Sequence, residues 1–395
     1  MEKLLNFLSK HWRLILTALG LALIAYILLF RGITTLTGNY SSPEISARNQ
    51  SISLKTIYNH PVNAPHEVLI WLGIKLGHNS IAVTRVASAL LATVAAVLFY
   101  WVAIHWYSKR VALVSTILFV SSSGFLHFGR FGDAHILQMA TLVLISCVFI
   151  FRRTRQEKFA AYGIVAVLAA CLYVPVIVWF ELLGLVLMRQ RILYLFRKLG
   201  RLHTTLLILF GTLLTLPLLI RFVVDPESIR VIFGLPAALP TPALLLDNFI
   251  HLSSSIIYRG YWPTEYWMYG APLLNAAESI LLIAGLVMLF KRPILRGNYF
   301  LIGTLGVSTL LITLGGSATV ALLVPLVYLT IAGGIYYLLN EWLTVFPKNP
   351  IARYSGMTLL LALAVFSVLY HFRAYYTAWP NAPETKSVYT IKQPS

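Results

Sequence analysis

Residues 81–107 read IAVTRVASALLATVAAVLFYWVAIHWY, an apolar run in which Arg85 is the only residue with a full charge at neutral pH. About 20 helical residues cross the roughly 30 Å hydrocarbon core of a bilayer, so this run predicts a membrane-spanning helix. The whole chain of 395 residues is 58% hydrophobic and 11% charged, with a mean hydropathy of +0.79. Soluble domains carry about 25% charged residues, so the sequence predicts an all-α integral membrane protein.

Ten further apolar runs surround this one, which gives about eleven predicted spans. The spans are Leu14–Phe30, Ile81–Tyr107, Val111–Phe125, Ile136–Phe151, Phe159–Tyr173, Val174–Met188, Thr204–Ile220, Leu273–Phe290, Phe300–Leu314, Ala318–Leu339 and Gly356–Tyr370. Residues 159–188 would form a single helix about 45 Å long at 1.5 Å per residue, which is too long for a simple crossing. We therefore predict a hairpin that turns near Tyr173 and Pro175.

Lysine and arginine residues cluster beside alternate ends of these spans, and such clusters usually face the cytoplasm. The residues assigned to the cytoplasm are Lys3, Lys10, Arg13, Lys109, Arg110, Arg152, Arg153, Arg155, Lys158, Arg189, Arg191, Arg197, Lys198, Arg201, Lys291, Arg292, Arg296, Lys348 and Arg353. This pattern predicts a plasma (inner) membrane protein with a cytoplasmic N-terminus and an extracytoplasmic C-terminus. The net charge of +18 then indicates orientation and contact with anionic lipid, and no basic soluble module suggests a nucleic-acid partner.

We treat residues 1–395 as one transmembrane domain with three long extracytoplasmic segments, residues 31–80, 222–272 and 371–395. The first segment holds Glu44 and then an amphipathic stretch, residues 66–77, of the kind that lies in the membrane interface. The second segment is rich in tyrosine and tryptophan. A short connector, residues 127–135, places one arginine, one aspartate and two histidines between two predicted spans. Residues 315–317, Gly-Gly-Ser, predict a tight loop.

The order of several motifs resembles the polytopic GT-C glycosyltransferases that are related to protein O-mannosyltransferases and aminoarabinose transferases, and is thus similar to glycosyltransferase family 39. The motifs are His60-Pro61 before the amphipathic stretch that ends at Gly77, Arg85-Val86-Ala87-Ser88, Lys109-Arg110-Val111-Ala112, Ser121-Ser122-Ser123-Gly124-Phe125 and Gly129-Arg130-Phe131-Gly132-Asp133. The resemblance covers roughly residues 14–151. Beyond them it is limited to topology, including an external loop before the later helices.

The resemblance implies a GT-C-like fold and transfer of a sugar from a polyprenyl-phosphate donor to an extracytoplasmic lipid, glycan or protein acceptor. It also implies an acidic catalytic base in the first loop and a second acid, between the third and fourth helices, that supports the site or a metal ion. Glu44 and Asp133 approximately match these two positions. The family has an Asp-Glu pair where this chain has Pro43-Glu44, and its double proline after histidine is altered to Pro61-Val62.

Transfer from a phosphate leaving group needs a base for the acceptor hydroxyl, which contributes roughly 10²–10⁴-fold, and positive charge for the phosphate. Glu44 is the candidate base, and an arginine can hold phosphate oxygens in a forked geometry. The predicted substrate-binding residues are Arg85, Arg130, Arg259, His60, Tyr261 and Trp262. Asp133, with His135 or His60 beside it, is the candidate ligand set for a divalent ion such as Mg²⁺ or Mn²⁺.

Simpler roles stay open for each of these residues. Glu44 and Asp133 can cap the helices that follow them, and Arg85 can pair with a carboxylate. The histidines can be interfacial hydrogen-bonders, and the aromatic residues can form an interfacial belt. Glu278, inside a predicted span, is a further functional candidate. At the level of class, the alternatives are a transporter or flippase of lipid-linked saccharides, which predicts related halves and broken helices, and a non-catalytic assembly protein with a GT-C-like fold.

Overall fold

The computed structural model describes residues 20–78, 80–150, 157–264, 266–268, 270–291 and 296–392. Within these ranges the regular structure is helical, apart from one isolated antiparallel bridge between Tyr40 and Ile391. The start of the predicted span Leu14–Phe30 lies outside the described residues. So do the predicted cytoplasmic residues Lys3, Lys10, Arg13, Arg152, Arg153, Arg155 and Arg292 and the side chains of Lys158 and Arg296.

The helices of the first half of the chain are α1 (Gly20–Phe30), α2 (Ser42–Gln50), α3 (Leu54–Asn59), α4 (Ala64–Lys75), α5 (Ala82–Trp106), α6 (Lys109–Ser121), α7 (Ser123–Arg130), α8 (His135–Ile150), α9 (Glu157–Cys171) and α10 (Ile177–Leu187). The helices of the second half are α11 (Arg189–Val224), α12 (Glu227–Phe233), α13 (Pro242–Ile257), α14 (Ala276–Lys291), α15 (Arg296–Thr313), α16 (Leu323–Val345), α17 (Pro350–Arg373), α18 (Trp379–Asn381) and α19 (Pro383–Val388). The last five residues of α1 and residues 374–378 are wound as π-helix.

The fold is all-helical and membrane-embedded, as the sequence predicts, but the count of eleven spans is not confirmed. By length and composition, four helical stretches among the described residues are suited to cross a membrane, and the bent pair α6–α7 makes up to five. The four stretches are Ala82–Trp106, Arg189–Val224, Val320–Val345 and Pro350–Asn381. The other predicted spans coincide with shorter helices, which do not reach the length of a full crossing on their own.

The stretch from residue 159 to 188 forms a hairpin, as predicted. Helix α9 ends at Cys171, and α10 begins at Ile177. Val176 in the turn has a positive φ of 68°, and its N–H donates to the carbonyl oxygen of Ile232 at 2.7 Å. The Tyr173 carbonyl in the same turn accepts from the N–H of Asn63 at 2.8 Å. The turn therefore joins the first long loop to the segment after α11.

The predicted span Val111–Phe125 is broken at Ser122, where α6 and α7 meet at an angle of 58°. Ser122 has an extended backbone, and its hydroxyl accepts from the N–H of Phe125 at 3.2 Å, which caps the new helix. Every residue of α7 is buried. The break turns the chain so that α7 ends in the short connector that carries Asp133.

Helix α16 forms the centre of the bundle, and its residues from Leu323 to Ile335 are all buried. It crosses α14 at glycines on both helices. A Cβ at Gly334 would overlap the carbonyl oxygen of Leu281, and one at Gly285 would overlap that of Thr330. Small residues at a crossing let two helical backbones approach closely within a membrane.

The segments that the sequence assigns to the outside meet at one end of this bundle. Tyr40 in the first loop and Ile391 in the tail exchange backbone hydrogen bonds of 2.9 and 3.1 Å. The N–H of Gly132 in the short connector donates to Glu44 in the first loop at 3.2 Å. Their location on the extracytoplasmic side remains a prediction from charge.

Candidate functional site

A cavity of about 390 Å³, called here the Asp133 cavity, opens at the end of the bundle where the loops meet. It is lined by Val62, Asn63, Phe128, Asp133, Ala134, His135, Gln138, Pro175, Val231, Trp262, Pro263, Tyr266, Gly316, Ser317, Ala318, Thr319 and Val320. These residues come from several connections that are far apart in the sequence. Pockets of about 300–1,000 Å³ with a few convergent polar groups are typical of small-molecule sites.

The polar centre of the Asp133 cavity is an ion pair between Asp133 and His135. Nδ1 of His135 lies 2.7 Å from Oδ2 of Asp133, and the side chains are 21% and 16% exposed. Oδ1 of Asp133 accepts a hydrogen bond from the N–H of Ala134. Of the carboxylates that the sequence singled out, Asp133 is the one that lines this cavity.

The two members of this pair stabilise each other's charge. Burial alone would raise the pKa of Asp133, but the charge and hydrogen bond of His135 outweigh burial and hold the pKa below its usual value. Burial alone would lower the pKa of His135, yet the neighbouring carboxylate outweighs it and raises the pKa. The pair therefore favours a carboxylate and an imidazolium side by side in the cavity.

Aromatic residues form one wall beside this pair. The ring of Tyr266 packs edge-on against His135, with centroids 5.0 Å apart. The indole N–H of Trp262 is buried and has no hydrogen-bond partner among the described residues. Since buried donors are normally paired, this N–H is available to a ligand oxygen. The predicted substrate residue Trp262 is thus placed in the cavity.

Glu44 lies behind the connector and is fully buried. Oε1 accepts from Nε of Arg85 at 2.6 Å, and Oε2 accepts from Nη2 of Arg85 at 3.0 Å. Oε2 also accepts from the backbone N–H and the hydroxyl of Ser41, at 2.9 and 3.1 Å, as the third residue of a capping box. Together with Gly132, these donors occupy both carboxylate oxygens. This geometry supports the capping role that the sequence left open for Glu44, and it does not support a role as the base.

Arg85 and Arg130 are also tied to the protein and do not line the Asp133 cavity. Besides Glu44, Arg85 donates to the carbonyl oxygens of Ile33 and Asn39 at 2.8 and 2.9 Å. Arg130 donates to the carbonyl oxygens of Leu28 and Arg31 at 2.8 and 2.9 Å. Both arginines are at most 4% exposed. Their geometry favours structural roles over the predicted contact with substrate.

The remaining predicted residues lie near the cavity or away from it. His60 is exposed on a separate shallow groove that is lined mainly by α2. Arg259 is exposed at the end of α13, on the loop that supplies Trp262. Tyr261 is 50% exposed and stacks on His251, with centroids 4.3 Å apart. None of these three is a lining residue of the Asp133 cavity.

The divalent ion stays a prediction. Among the described residues, no group of three or more His, Cys, Asp or Glu side chains is placed to hold a metal. Nδ1 of His135 faces Asp133, which leaves Nε2 as the ring nitrogen for a ligand, and a carboxylate on the other nitrogen is common for histidines that bind metals. No step of the chemistry below is routed through an ion.

Several residues of the site are absent from the sequence-based prediction. Oε1 of Gln138, one turn after His135, accepts from the backbone N–H and the hydroxyl of Thr319, at 3.0 and 2.7 Å. This contact fixes residues 316–320 as a wall of the cavity, so the Gly-Gly-Ser loop is more than a connection. Gln138 lies three residues after His135 on the same helical face, and this spacing could have indicated a shared site. An uncharged amide, however, is only a weak indication of a functional residue.

His66 contacts the connector through Ser88. Its Nε2 lies 3.0 Å from the hydroxyl of Ser88, which in turn donates to the carbonyl oxygen of Asp133 at 3.3 Å. Burial lowers the pKa of His66 to about 4, against the opposing effect of Asp133, so the ring is neutral at pH 7. Burial also raises the pKa of the neighbouring Glu67 to about 8. His66 and Glu67 thus place neutral buried groups, and not charge, beneath the connector.

Glu278 does not reach the Asp133 cavity, although the sequence singled it out. It is fully buried and lies 2.7 Å from Nε2 of His371, whose Nδ1 lies 3.0 Å from the hydroxyl of Ser123. The hydroxyl of Tyr328 also donates to Glu278 at 3.1 Å. This network links α7, α14, α16 and α17, and it explains how the bundle tolerates a carboxylate in its interior.

Two solved structures share this architecture. ArnT from Cupriavidus metallidurans bound to undecaprenyl phosphate aligns over 94% of this chain and 77% of its own, with a TM-score of 0.56 and 14% identity. The same protein in the apo state aligns over 96% of this chain and 78% of its own, with a TM-score of 0.54 and 15% identity. The likeness confirms the GT-C-like fold that the sequence motifs predict. No protein-family model matches the sequence, and no curated protein matches it either.

Proposed function

We propose that this protein is a membrane glycosyltransferase that moves a sugar from a polyprenyl-phosphate donor to an extracytoplasmic acceptor hydroxyl, and that the reaction takes place in the Asp133 cavity. The observation that carries the proposal is the Asp133–His135 ion pair beside Trp262, in a cavity at the loop end of a GT-C-like fold. The ArnT neighbour that is bound to undecaprenyl phosphate supports a lipid phosphate as the donor class.

Asp133 is the proposed base. As the acceptor oxygen bonds to the anomeric carbon, the bond from that carbon to the phosphate oxygen breaks, and the hydroxyl proton passes to the carboxylate of Asp133. The lowered pKa of Asp133 keeps the carboxylate ionised at neutral pH, which is the form that a base requires. The phosphate departs with the electron pair of the broken bond and needs no proton to leave.

His135 is the proposed contact for the departing phosphate. The raised pKa of His135 keeps the imidazole charged, and a hydrogen bond to a charged group contributes about 1.5–3 kcal/mol. Arg259 is exposed on the loop next to Trp262, so its side chain is the second candidate for the phosphate. Trp262 supplies an aromatic face and a free N–H for the sugar.

Glu44 has a different role in this proposal. Its bidentate ion pair with Arg85 and its bond from Gly132 hold the first loop against the connector. The connector then presents Asp133 to the cavity. Glu44 acts on the site through the position of Gly132 and does not touch the substrate.

The test is a transfer assay with the purified protein, polyprenyl-phosphate sugars and a panel of lipid, glycan and protein acceptors. Asp133→Asn is expected to lower turnover by at least about 10²-fold, because the base is removed while the shape is kept. The matched control is Asp247→Asn, since Asp247 is 57% exposed beside His251 and does not line the cavity. Turnover that is equal in both variants would exclude Asp133 as the base.

A further inference from the structure

A second cavity, of about 710 Å³, lies at the opposite end of the bundle. The Asp133 cavity is formed at the start of α8, before α10 and before α16. The second cavity is formed where these same three helices end, together with the end of α5 and the starts of α11 and α15. We call it the Arg189 cavity. It lies outside the proposed reaction site and has no part in the transfer step.

The charged lining of the Arg189 cavity is mainly basic. Arg189 and Arg191, at the start of α11, both line it, and among the described lining residues Glu341 is the single carboxylate. Just outside, Nζ of Lys291 donates to the hydroxyl of Tyr337, a lining residue, at 2.7 Å and lies 5.1 Å from the centre of its ring. The cavity therefore favours an anionic group.

The rest of the lining is apolar and aromatic. Ile150, Val186 and Leu187 form an aliphatic wall, and Val186 is 67% exposed at its edge. Trp106 and Tyr299 also line the cavity. Tryptophan and tyrosine mark the level of the lipid headgroups in membrane proteins. An apolar wall that meets two arginines at this level matches a molecule with a hydrocarbon chain and an anionic head.

We infer that the Arg189 cavity binds an anionic glycerophospholipid, with its phosphate against Arg189 and Arg191 and an acyl chain along the wall formed by the ends of α8 and α10. The charge pattern of the sequence places this end at the cytoplasmic leaflet, where anionic phospholipids are enriched. The cavity volume of about 710 Å³ is in the range for a drug-sized ligand and exceeds the need of a free phosphate.

The test is native mass spectrometry of the full-length protein with added phosphatidylglycerol and, as the uncharged control, phosphatidylcholine. Wild type is expected to retain phosphatidylglycerol at concentrations where it loses phosphatidylcholine. Each cationic contact contributes about 1 kcal/mol, so the double variant Arg189→Gln/Arg191→Gln should bind phosphatidylglycerol about 30-fold more weakly. The matched control is Arg197→Gln/Arg201→Gln, on either side of the kink at Gly200 in α11, with both residues exposed and outside the cavity.

A second variant tests the apolar wall without a change of charge. Val186→Trp fills the edge of the wall with both arginines in place, and it should also weaken phosphatidylglycerol binding. Equal retention of phosphatidylglycerol by the two double variants would overturn the inference. Displacement of phosphatidylglycerol by millimolar inorganic phosphate would also overturn it. A third contradicting result would be tighter binding of undecaprenyl phosphate than of phosphatidylglycerol, if Arg189→Gln/Arg191→Gln abolished that difference.

Discussion

The different environments of Glu44 and Asp133 decide what each carboxylate can do. Glu44 is fully buried, and five donors from Ser41, Arg85 and Gly132 occupy its oxygens. Asp133 is 16% exposed and faces a cavity. A base must reach the proton that it removes. Access to a cavity therefore distinguishes Asp133 from Glu44 more clearly than their order in the chain does.

Loss of the Glu44 carboxylate is expected to lower stability. Glu44→Gln leaves Arg85 buried without its counter-charge, which costs about 3–5 kcal/mol in the free energy of unfolding. The matched control is Glu227→Gln, since Glu227 is 60% exposed in its pair with Arg230 and such pairs contribute at most about 1 kcal/mol. Thermal denaturation in detergent measures the difference. A Glu44→Gln protein with unchanged stability and abolished turnover would instead identify Glu44 as the base.

The Asp133–His135 pair predicts a pH dependence for binding of undecaprenyl phosphate. The pKa of His135 is raised above 6.5, so its charge is fully present below pH 6.5 and is lost as the pH rises through the raised value. The pKa of Asp133 is lowered below 3.8, so its charge is lost only as the pH falls through that lower value. The pair stabilises the folded protein over the same pH range. This stabilisation is lost at high pH, where His135 loses its proton, and at low pH, where Asp133 gains one.

Affinity for undecaprenyl phosphate should therefore fall on the alkaline side of pH 6.5, and His135→Gln should remove this fall. Titration calorimetry or a fluorescence assay between pH 5 and pH 9 measures the effect. The control is His251→Gln, since His251 is 44% exposed and away from the cavity. An alkaline decrease that persists in His135→Gln would show that another group is responsible.

The sequence identified Asp133, His135 and Trp262 because each stands out locally as a charged or aromatic residue in an external segment. It could not identify the partner of Glu44, because Arg85 is 41 positions away and the pair exists only after α2 packs against α5. The sequence did not predict Gln138 as a site residue for a related reason. Its value to the site comes from the loop at residues 317–319, which tertiary packing brings to α8.

At the scale of elements, hydropathy predicted the position of nearly every apolar helix but not where one breaks. The run Val111–Phe125 contains Ser121-Ser122-Ser123-Gly124, whose serines cap a new helix at Ser122. The mean hydropathy over the whole run does not reveal this break. Helix α11 has a second such break, since the backbone at Gly200 is not helical (φ 77°, ψ 166°), and the predicted span Thr204–Ile220 lies in the part that follows it.

The close crossing of α14 and α16 predicts a strong effect of a single methyl group. Gly334→Ala places a Cβ against the carbonyl oxygen of Leu281, so the helices must separate at a cost of about 1–3 kcal/mol. The matched control is Gly306→Ala in α15, where a Cβ meets no atom within 4 Å. Thermal denaturation of the two variants provides the comparison. Equal melting temperatures would show that the crossing is looser than described.

At the scale of the whole molecule, the two cavities lie at opposite ends of one bundle. The Asp133 cavity is formed by the loops, and the Arg189 cavity lies beside helix ends that carry basic clusters. A lipid-phosphate donor and an acceptor outside the cell can meet only at the loop end. The orientation of the bundle therefore decides whether the proposed reaction is possible.

Orientation can be measured by labelling single cysteines in intact cells. Gln50→Cys in the first loop should react with a membrane-impermeant maleimide from outside, whereas Lys348→Cys should react only after permeabilisation. Both positions are exposed, and the native residues Cys147 and Cys171 are buried. Labelling in the reverse order would place the Asp133 cavity in the cytoplasm and exclude extracytoplasmic transfer.

An experimental structure of the protein with undecaprenyl phosphate tests the location of the site most directly. The prediction is density for the phosphate in the Asp133 cavity, within about 3 Å of a nitrogen of His135. The polyprenyl chain should lead from the cavity to the bilayer. Asp133→Asn should weaken this density, because His135 then loses the carboxylate that keeps its buried imidazole charged. Phosphate bound elsewhere, with the Asp133 cavity unfilled in wild type, would contradict the proposed reaction site.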